Sequence, residues 1–152
     1  MKNENISIRE FEVNDSKKIV DLFRLNVPKF FAKEEEKDLI QYLENEIELY
    51  YVLLYDGKIV GSGGINFENE MKTGIISWDI IHFDFQGKKL GSQLLKHRIE
   101  KLKTIESIQE IVVRTSQFTY LFYDKQGFEI SEIIKDYWAK GFDLYSMKYK
   151  NL

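Results

Sequence analysis

The chain predicts an α/β (α+β) fold, with a mixed, mostly antiparallel sheet of six or seven strands and about four helices. Three observations lead there. Short apolar blocks alternate with polar residues in the manner of strands. Other segments repeat apolar residues at three- and four-residue spacing, in the manner of amphipathic helices. The two kinds follow one another as β-α-α-β-β-β-α-β-α-β-β, with no proline-, glycine- or serine-rich linker between them, so residues 1–152 read as one domain.

Residues 6–11 begin with strict alternation and form a short strand. Asn14 or Asp15 then offers an N-cap to a helix whose apolar face is Ile19, Val20, Leu22 and Phe23. Pro28, the single proline, marks a turn. A second helix starts near Lys33, with Leu39, Ile40, Leu43 and Ile47 at helical spacing and Glu34, Glu35 and Glu36 at its positive end, where a solvated face is the simplest reading. Residues 50–55 are a buried strand, Asp56-Gly57 is a two-residue hairpin turn, and residues 58–67 return. Gly61, Gly63 and Gly64 inside that return indicate a bulge or a close backbone approach. Residues 73–83 are the longest strand candidate. A polar loop then opens into a helix striped by Leu90, Leu94, Leu95, Ile99 and Leu102. Residues 111–113 form a short strand, 118–126 a short helix stopped by Gly127, and 128–134 and 144–149 the last two strands.

Composition removes several classes of function. There is no cysteine, which excludes disulfides, thiolate metal sites and cysteine nucleophiles. With only His82 and His97, a histidine metal site would need carboxylate help, and no metal is expected. The 22 Lys and Arg against 25 Asp and Glu give a net charge of −3, which supplies no drive toward nucleic acid or an anionic membrane. No apolar run approaches the roughly 20 residues of a membrane span, and the first ten residues lack the apolar stretch of a signal peptide. A soluble, cytoplasmic protein is the simplest expectation.

The informative segment joins the end of a strand to the start of a helix. The first N–H groups of a helix and its dipole form an anion site, and Gly87 and Gly91 would let a phosphate approach the backbone closely. Lys88 and Lys89 add positive charge. Glycines alone are weak evidence, and a plain strand-to-helix connection explains them equally well. The spacing is neither that of a nucleotide-hydrolysing P-loop nor that of a dinucleotide fingerprint.

The run Phe85-Gln86-Gly87-Lys88-Lys89-Leu90-Gly91-Ser92-Gln93-Leu94-Leu95 resembles the acetyl-CoA pyrophosphate loop of the GCN5-related N-acetyltransferase (GNAT) family, Gln/Arg-x-x-Gly-x-Gly/Ala. Phe122-Tyr123-Asp124-Lys125-Gln126-Gly127-Phe128 resembles the family's Tyr-x-Lys-x-Gly-Phe segment, and the element order agrees along nearly the whole chain. Two departures stand out. Lys89 replaces the first loop glycine, and Ser116, followed by Gln117, replaces an asparagine common in the family.

Acyl transfer from a thioester to an amine needs a neutral amine, a stabilised carbonyl oxygen and a proton for the leaving thiolate. The resemblance implies a sheet splayed between its fourth and fifth strands, with the pantetheine arm of acetyl-CoA lying between them. It places the backbone of Ile81, His82 and Phe83, the loop residues Gln86, Gly87, Lys88, Lys89, Leu90, Gly91 and Ser92, and Ser116 and Lys125 on the cofactor side. The Ile81 N–H would face the thioester oxygen, and Tyr123 would protonate the sulfur. Without the motif, Tyr123 would read as a core aromatic.

Asp79 is the only carboxylate within residues 73–83, where it costs free energy unless paired or functional. It is the candidate base, against a solvated edge position, a lysine partner, or a water chain doing its work. As side chains, His82 reads as a surface or backbone-anchoring residue and His97 as solvent-facing. Phe31, Trp78 and Trp138 are the candidate acceptor-side aromatics, the first and last with neighbours Phe30 and Tyr137 in loop-like contexts.

The expected function is an acetyl-CoA-dependent N-acetyltransferase that moves an acetyl group directly to a primary amine of a small molecule or peptide. The alternative is a non-catalytic acyl-CoA-binding or regulatory module on the same fold, motivated by Lys89 and the unfixed base. The sequence does not name the acceptor. Exposed aromatic strands could pair two copies into a homodimer.

Overall fold

The computed structural model describes residues 5–87 and 89–152. Strand β1 (Ile6–Glu10) passes through a 3-10 turn into helix α1 (Ser16–Leu25). Asp15 does not cap α1 with its side chain. Its carboxylate turns back to accept from the Glu12 N–H at 2.8 Å and from the Arg9 guanidinium at 2.8 and 3.0 Å, which fastens the turn to β1. A second 3-10 turn at Lys33–Glu35 precedes helix α2 (Glu36–Asn45). Glu35 is buried there, its carboxylate accepting from the Ala32 N–H at 2.8 Å. The second helix therefore begins three residues later than the start near Lys33 expected from the sequence.

Strands β2 (Leu49–Tyr55), β3 (Lys58–Glu68) and β4 (Thr73–Ile81) follow as an antiparallel meander. Asp56 and Gly57 both take positive φ, 51° and 80°, as a tight hairpin turn requires. Helix α3 (Leu90–Lys103), strand β5 (Glu110–Thr115), helix α4 (Tyr120–Lys125), and strands β6 (Phe128–Ala139) and β7 (Phe142–Tyr149) complete the chain. Among the described residues the seven strands lie in the order β1-β2-β3-β4-β5-β7-β6, and β4–β5 is the one parallel pair.

Each face of the sheet carries its own core. Leu94, Leu95 and Leu102 of α3 pack with Leu53, Ile65, Ile76 and Val113 on one side. Ile19 and Phe23 of α1 and Leu39 of α2 pack with Val52 and Ile80 on the other. Among the described residues no helix is long and apolar enough to cross a membrane.

Further boundaries differ from the sequence reading. β4 ends at Ile81 because His82 turns the chain and its Nδ1 accepts from the Asp84 N–H at 3.1 Å, capping a 3-10 turn at Phe83–Phe85. α4 starts at Tyr120 because Ser116 Oγ accepts from the Phe118 N–H at 3.2 Å and holds a turn there. β6 continues past Ile134 to Ala139, so Tyr137 and Trp138 belong to a strand and not to a loop.

Candidate active site

β4 pairs with β5 only between residues 73–76 and 110–113; beyond them β4 runs on for five residues and β5 for two. Within that unpaired stretch the register with β3 breaks: Ser77 opposes Gly64 and Ile80 opposes Ser62, so Trp78 and Asp79 together face Gly63. Trp78 sits at φ 48°, the left-handed conformation that such a bulge imposes. The extra residue inverts the alternation of side chains. Ile76 packs on the α3 side, Trp78 and Ile80 join the α1–α2 core, and Ile81 returns to the α3 side. Asp79 shares the α3 face with Ile81, whereas an unbroken strand would have turned it the opposite way.

On that face Asp79 meets two partners. Its Oδ1 pairs with Nη2 of Arg98, and its Oδ2 accepts the hydroxyl proton of Tyr123. Arg98 is fully buried; its Nε donates to the Leu94 carbonyl at 3.2 Å and its Nη1 to the Gly64 carbonyl at 3.1 Å. A buried guanidinium is costly unless paired, and Asp79 supplies the opposite charge. Gly63 makes the room: a Cβ there would overlap Asp79 Oδ1 and lie 2.7 Å from Arg98 Nη1. Burial holds the Tyr123 hydroxyl well above its ordinary value of 10.0; the Asp79 charge and hydrogen bond push the same way, and Arg98 opposes them.

Asp79 and Tyr123 line a cavity of about 1040 Å³. Of the residues expected on the cofactor side, Ile81, Gln86, Gly87, Lys89, Gly91, Ser92, Ser116 and Lys125 also line it. Phe31, Trp78 and Trp138 line it as well. Phe31 stacks on Trp78 with ring centroids 6.1 Å apart, and the Trp138 indole donates to the Thr115 carbonyl at 3.1 Å. The side chains of three expected residues do not line it. The Leu90 side chain is buried in the core, while His82 and Phe83 stack on each other away from the cavity. Lys88 lies outside the described residues. His97 is exposed and meets Tyr51 edge-on.

The helix that opens on this cavity has an unusual first residue. Lys89 precedes α3 at φ 65°, a conformation that favours glycine, which is the physical reason a glycine suits this position. The Gln93 N–H is bonded to the Lys89 carbonyl at 3.1 Å, so the N–H groups of Leu90, Gly91 and Ser92 precede the intrahelical ladder. Gln126 Nε2 donates to Ser92 Oγ at 3.0 Å and ties α4 to this end of α3. The Gln86 side chain turns inward, donating to the Ile81 carbonyl at 3.1 Å and to Asn26 Oδ1 at 3.3 Å.

The sequence matches the family described as an acetyltransferase (GNAT) domain over residues 24–151. The chain belongs to the GNAT family. Solved structures agree in fold. The ribosomal-protein-S18-alanine N-acetyltransferase from Escherichia coli superposes with a TM-score of 0.77 at 18% identity, covering 97% of this chain and 98% of that one. An aminoglycoside 6'-N-acetyltransferase complexed with coenzyme A gives 0.75 at 14% identity, covering 93% and 95%. The GNAT acetyltransferase from Streptococcus pneumoniae gives 0.71 at 21% identity, covering 95% and 98%. At these identities the likeness is one of fold. No curated protein matches the chain.

Within this GNAT domain the residue that sequence reasoning missed is Arg98. It falls four residues after Leu94 and four before Leu102, on the apolar stripe of α3, so its place among buried leucines was the available signal.

Proposed function

We propose that this GNAT domain is an acetyl-CoA-dependent N-acetyltransferase that passes an acetyl group directly to a primary amine of a small molecule or peptide. The observation that carries the reading is one cavity shared by the start of α3 and the Asp79–Tyr123 pair. An anion-binding helix end and a proton-bearing pair are what a thioester with a pyrophosphate tail requires. The family, and the coenzyme A held by a protein of the same fold, support acetyl-CoA as the acyl donor.

The residues present suit that donor. The N–H groups of Leu90, Gly91 and Ser92 would hold the pyrophosphate, with Lys89 and Lys125 supplying charge. Around Gly87 no heavy atom outside its chain neighbours approaches within 4 Å of where a Cβ would stand, which leaves the backbone open. The Ile81 carbonyl is taken by the side chains of Asn26 and Gln86, at 3.2 and 3.1 Å. The N–H of a strand residue points to the same side as its carbonyl, so that of Ile81 is turned away from β3 and would meet the thioester oxygen. Tyr123 would give its proton to the departing sulfur, and Asp79 would draw the proton from the amine. Phe31, Trp78 and Trp138 would form the acceptor wall.

Calorimetric titration with acetyl-CoA, followed by assays of free thiol against a panel of amines, tests the reading. Saturable binding with amine-dependent thiol release is the expected result. Binding without thiol release from any amine would leave a non-catalytic acyl-CoA-binding module. Absence of binding would overturn both.

A further inference from the structure

Resting on the reading of the cavity as an acyl-transfer site, we propose that Asp79 and Tyr123 act as one proton path and that Arg98 is the positioning residue that holds it. The geometry has three parts. Asp79 is divided between two partners, Oδ1 on Arg98 and Oδ2 on Tyr123. Arg98 cannot drift, because its other nitrogens are anchored on the carbonyls of Leu94 and Gly64 and it is wholly buried. The Asp79 side chain keeps 16% exposure and lines the cavity, so Oδ2 has a second lone pair within reach of an incoming amine.

The step balances as follows. The nitrogen–carbon bond forms as the amine nitrogen yields a proton to Asp79 Oδ2. The carbon–sulfur bond breaks as the Tyr123 hydroxyl, turned from Oδ2 toward the sulfur, yields its proton there while Oη takes the proton arriving on Asp79. The products are an amide and a free thiol; one proton has moved from nitrogen to sulfur, and both side chains end as they began.

A stepwise route is disfavoured by the surroundings. Tyrosinate formed alone would be a second buried negative charge against the Asp79 carboxylate, and burial already resists ionisation of Tyr123. A proton resting on Asp79 would weaken its pairing with the buried guanidinium. Passing both protons together avoids both states. The other groups nearby do not compete. The Tyr50 hydroxyl of β2 lies 3.0 Å from both Ser62 Oγ and the Trp78 carbonyl, the Tyr42 hydroxyl of α2 donates to Asn66 at 2.6 Å, and His97 and Lys101 of α3 are exposed.

A double-mutant cycle on kcat tests the proposal, using Asp79→Asn, Tyr123→Phe and the two together on an amine that the wild-type protein acetylates. Each single change should lower kcat by about 10²-fold, and the pair should cost no more than about 3-fold beyond either, because a path broken once is already broken. Effects that multiply to about 10⁴-fold would overturn it. If Asp79→Asn does not fold with Arg98 left unpaired, a proton inventory of wild-type kcat in mixed H2O and D2O decides instead: a bowed inventory, with both protons moving in one step, is expected, and a linear one would overturn the proposal.

Two further readouts separate positioning from mere structure. Arg98→Lys should lower kcat by about 10-fold with acetyl-CoA affinity and acceptor KM unchanged; a rise in KM alone would contradict it. In the unloaded protein, Asp79→Asn should let Tyr123 ionise at lower pH, seen as tyrosinate absorbance missing from Tyr123→Phe, and an unchanged titration would also contradict the proposal. Failure of the wild-type protein to bind acetyl-CoA would sink the functional reading first. Binding and turnover with a multiplicative cycle would sink this proposal alone.

Discussion

Replacing Gly63 by alanine should destabilise the protein, against the ordinary preference of a strand. Gly63 carries no positive φ, so a side chain there incurs no left-handed strain. By propensity alone, alanine in an extended segment gains roughly 0.5–1 kcal/mol over glycine. The added methyl carbon, however, would overlap Asp79 Oδ1 and stand 2.7 Å from Arg98 Nη1 and 2.9 Å from Arg98 Cζ, where ordinary contact is 3.4 Å or more. None of these atoms is the free end of a flexible chain. Overpacking by a methyl costs about 1–3 kcal/mol, and parting a buried ion pair costs about 3–5 kcal/mol. Less the propensity gain, these sum to a net loss of at least about 3 kcal/mol. With a urea dependence of about 2 kcal/mol per molar for a domain of this size, the unfolding midpoint should fall by about 1.5 M or more. Gly61→Ala is the control, because its nearest obstruction is the mobile Cδ1 of Ile81 at 2.7 Å, and it should cost about 1 kcal/mol or less. A Gly63→Ala midpoint equal to that of the wild type would refute the packing of Arg98 and Asp79 beneath β3.

Tyr123→Phe keeps the ring, so acetyl-CoA binding should hold while kcat falls by about 10²-fold and the basic limb of the pH–rate profile changes; an unchanged kcat with an unchanged Tm would reject the acid role. Lys89→Gly should relieve the left-handed residue before α3 and raise stability by about 0.5 kcal/mol net of chain entropy, yet weaken acetyl-CoA binding by about 1 kcal/mol through the lost charge. Calorimetry and thermal melts on one sample read both signs. Gly91→Glu should abolish acetyl-CoA binding by setting a carboxylate at the phosphate site, and wild-type affinity in that variant would mean that the phosphates do not sit at this loop. Burial first, and neighbouring Asp38 and Glu34 after it, raise the Glu35 carboxyl above its ordinary 4.5, although the Ala32 N–H opposes them. The folded state then holds a proton that the unfolded chain has released, so stability falls as pH rises from 4.5 through the raised value. Glu35→Gln should keep the bond to Ala32 and flatten that part of the urea-midpoint profile.

The element order was legible because each helix and strand writes its period into a single segment. Helix α3 and strand β4 needed only their own apolar residues to be seen. The site was legible in part. Asp79 announced itself as a carboxylate in an apolar strand, and Gly61, Gly63 and Gly64 announced a close approach without saying of what. What they approach lies on other elements, Ile81 of β4 for Gly61, Asp79 of β4 and Arg98 of α3 for Gly63, and Tyr50 of β2 and Tyr42 of α2 for Gly64, which no local pattern encodes. Arg98 stood on an apolar stripe, but stripes often admit one long cation whose charge reaches water; only the fold shows that here it does not. The bulge at Trp78 is a backbone event, invisible in the alternation because tryptophan and isoleucine are apolar on either face. His82 and Phe83 extended the apparent strand because nothing in the run marks its end: His82 turns the chain through its own side chain, and Phe83 stands exposed.

The short seam between β4 and β5 has a mechanical meaning. Four residue pairs join a four-stranded panel, β1 to β4, to a three-stranded one, β5 to β7. The join of β5 to β7 is also four pairs long, but it is antiparallel and reaches the end of β5, whereas β4 and β5 part beyond their fourth pair, so the seam is the compliant line of the sheet and whatever fills the wedge above it becomes the strut between the panels. Among residues 77–81 and 114–115, the amides that face the wedge should therefore exchange fast in the empty protein and slowly when the wedge is filled, while the amides bonded inside each panel change little. The sheet would then report occupancy through its own rigidity, with no lid required to close.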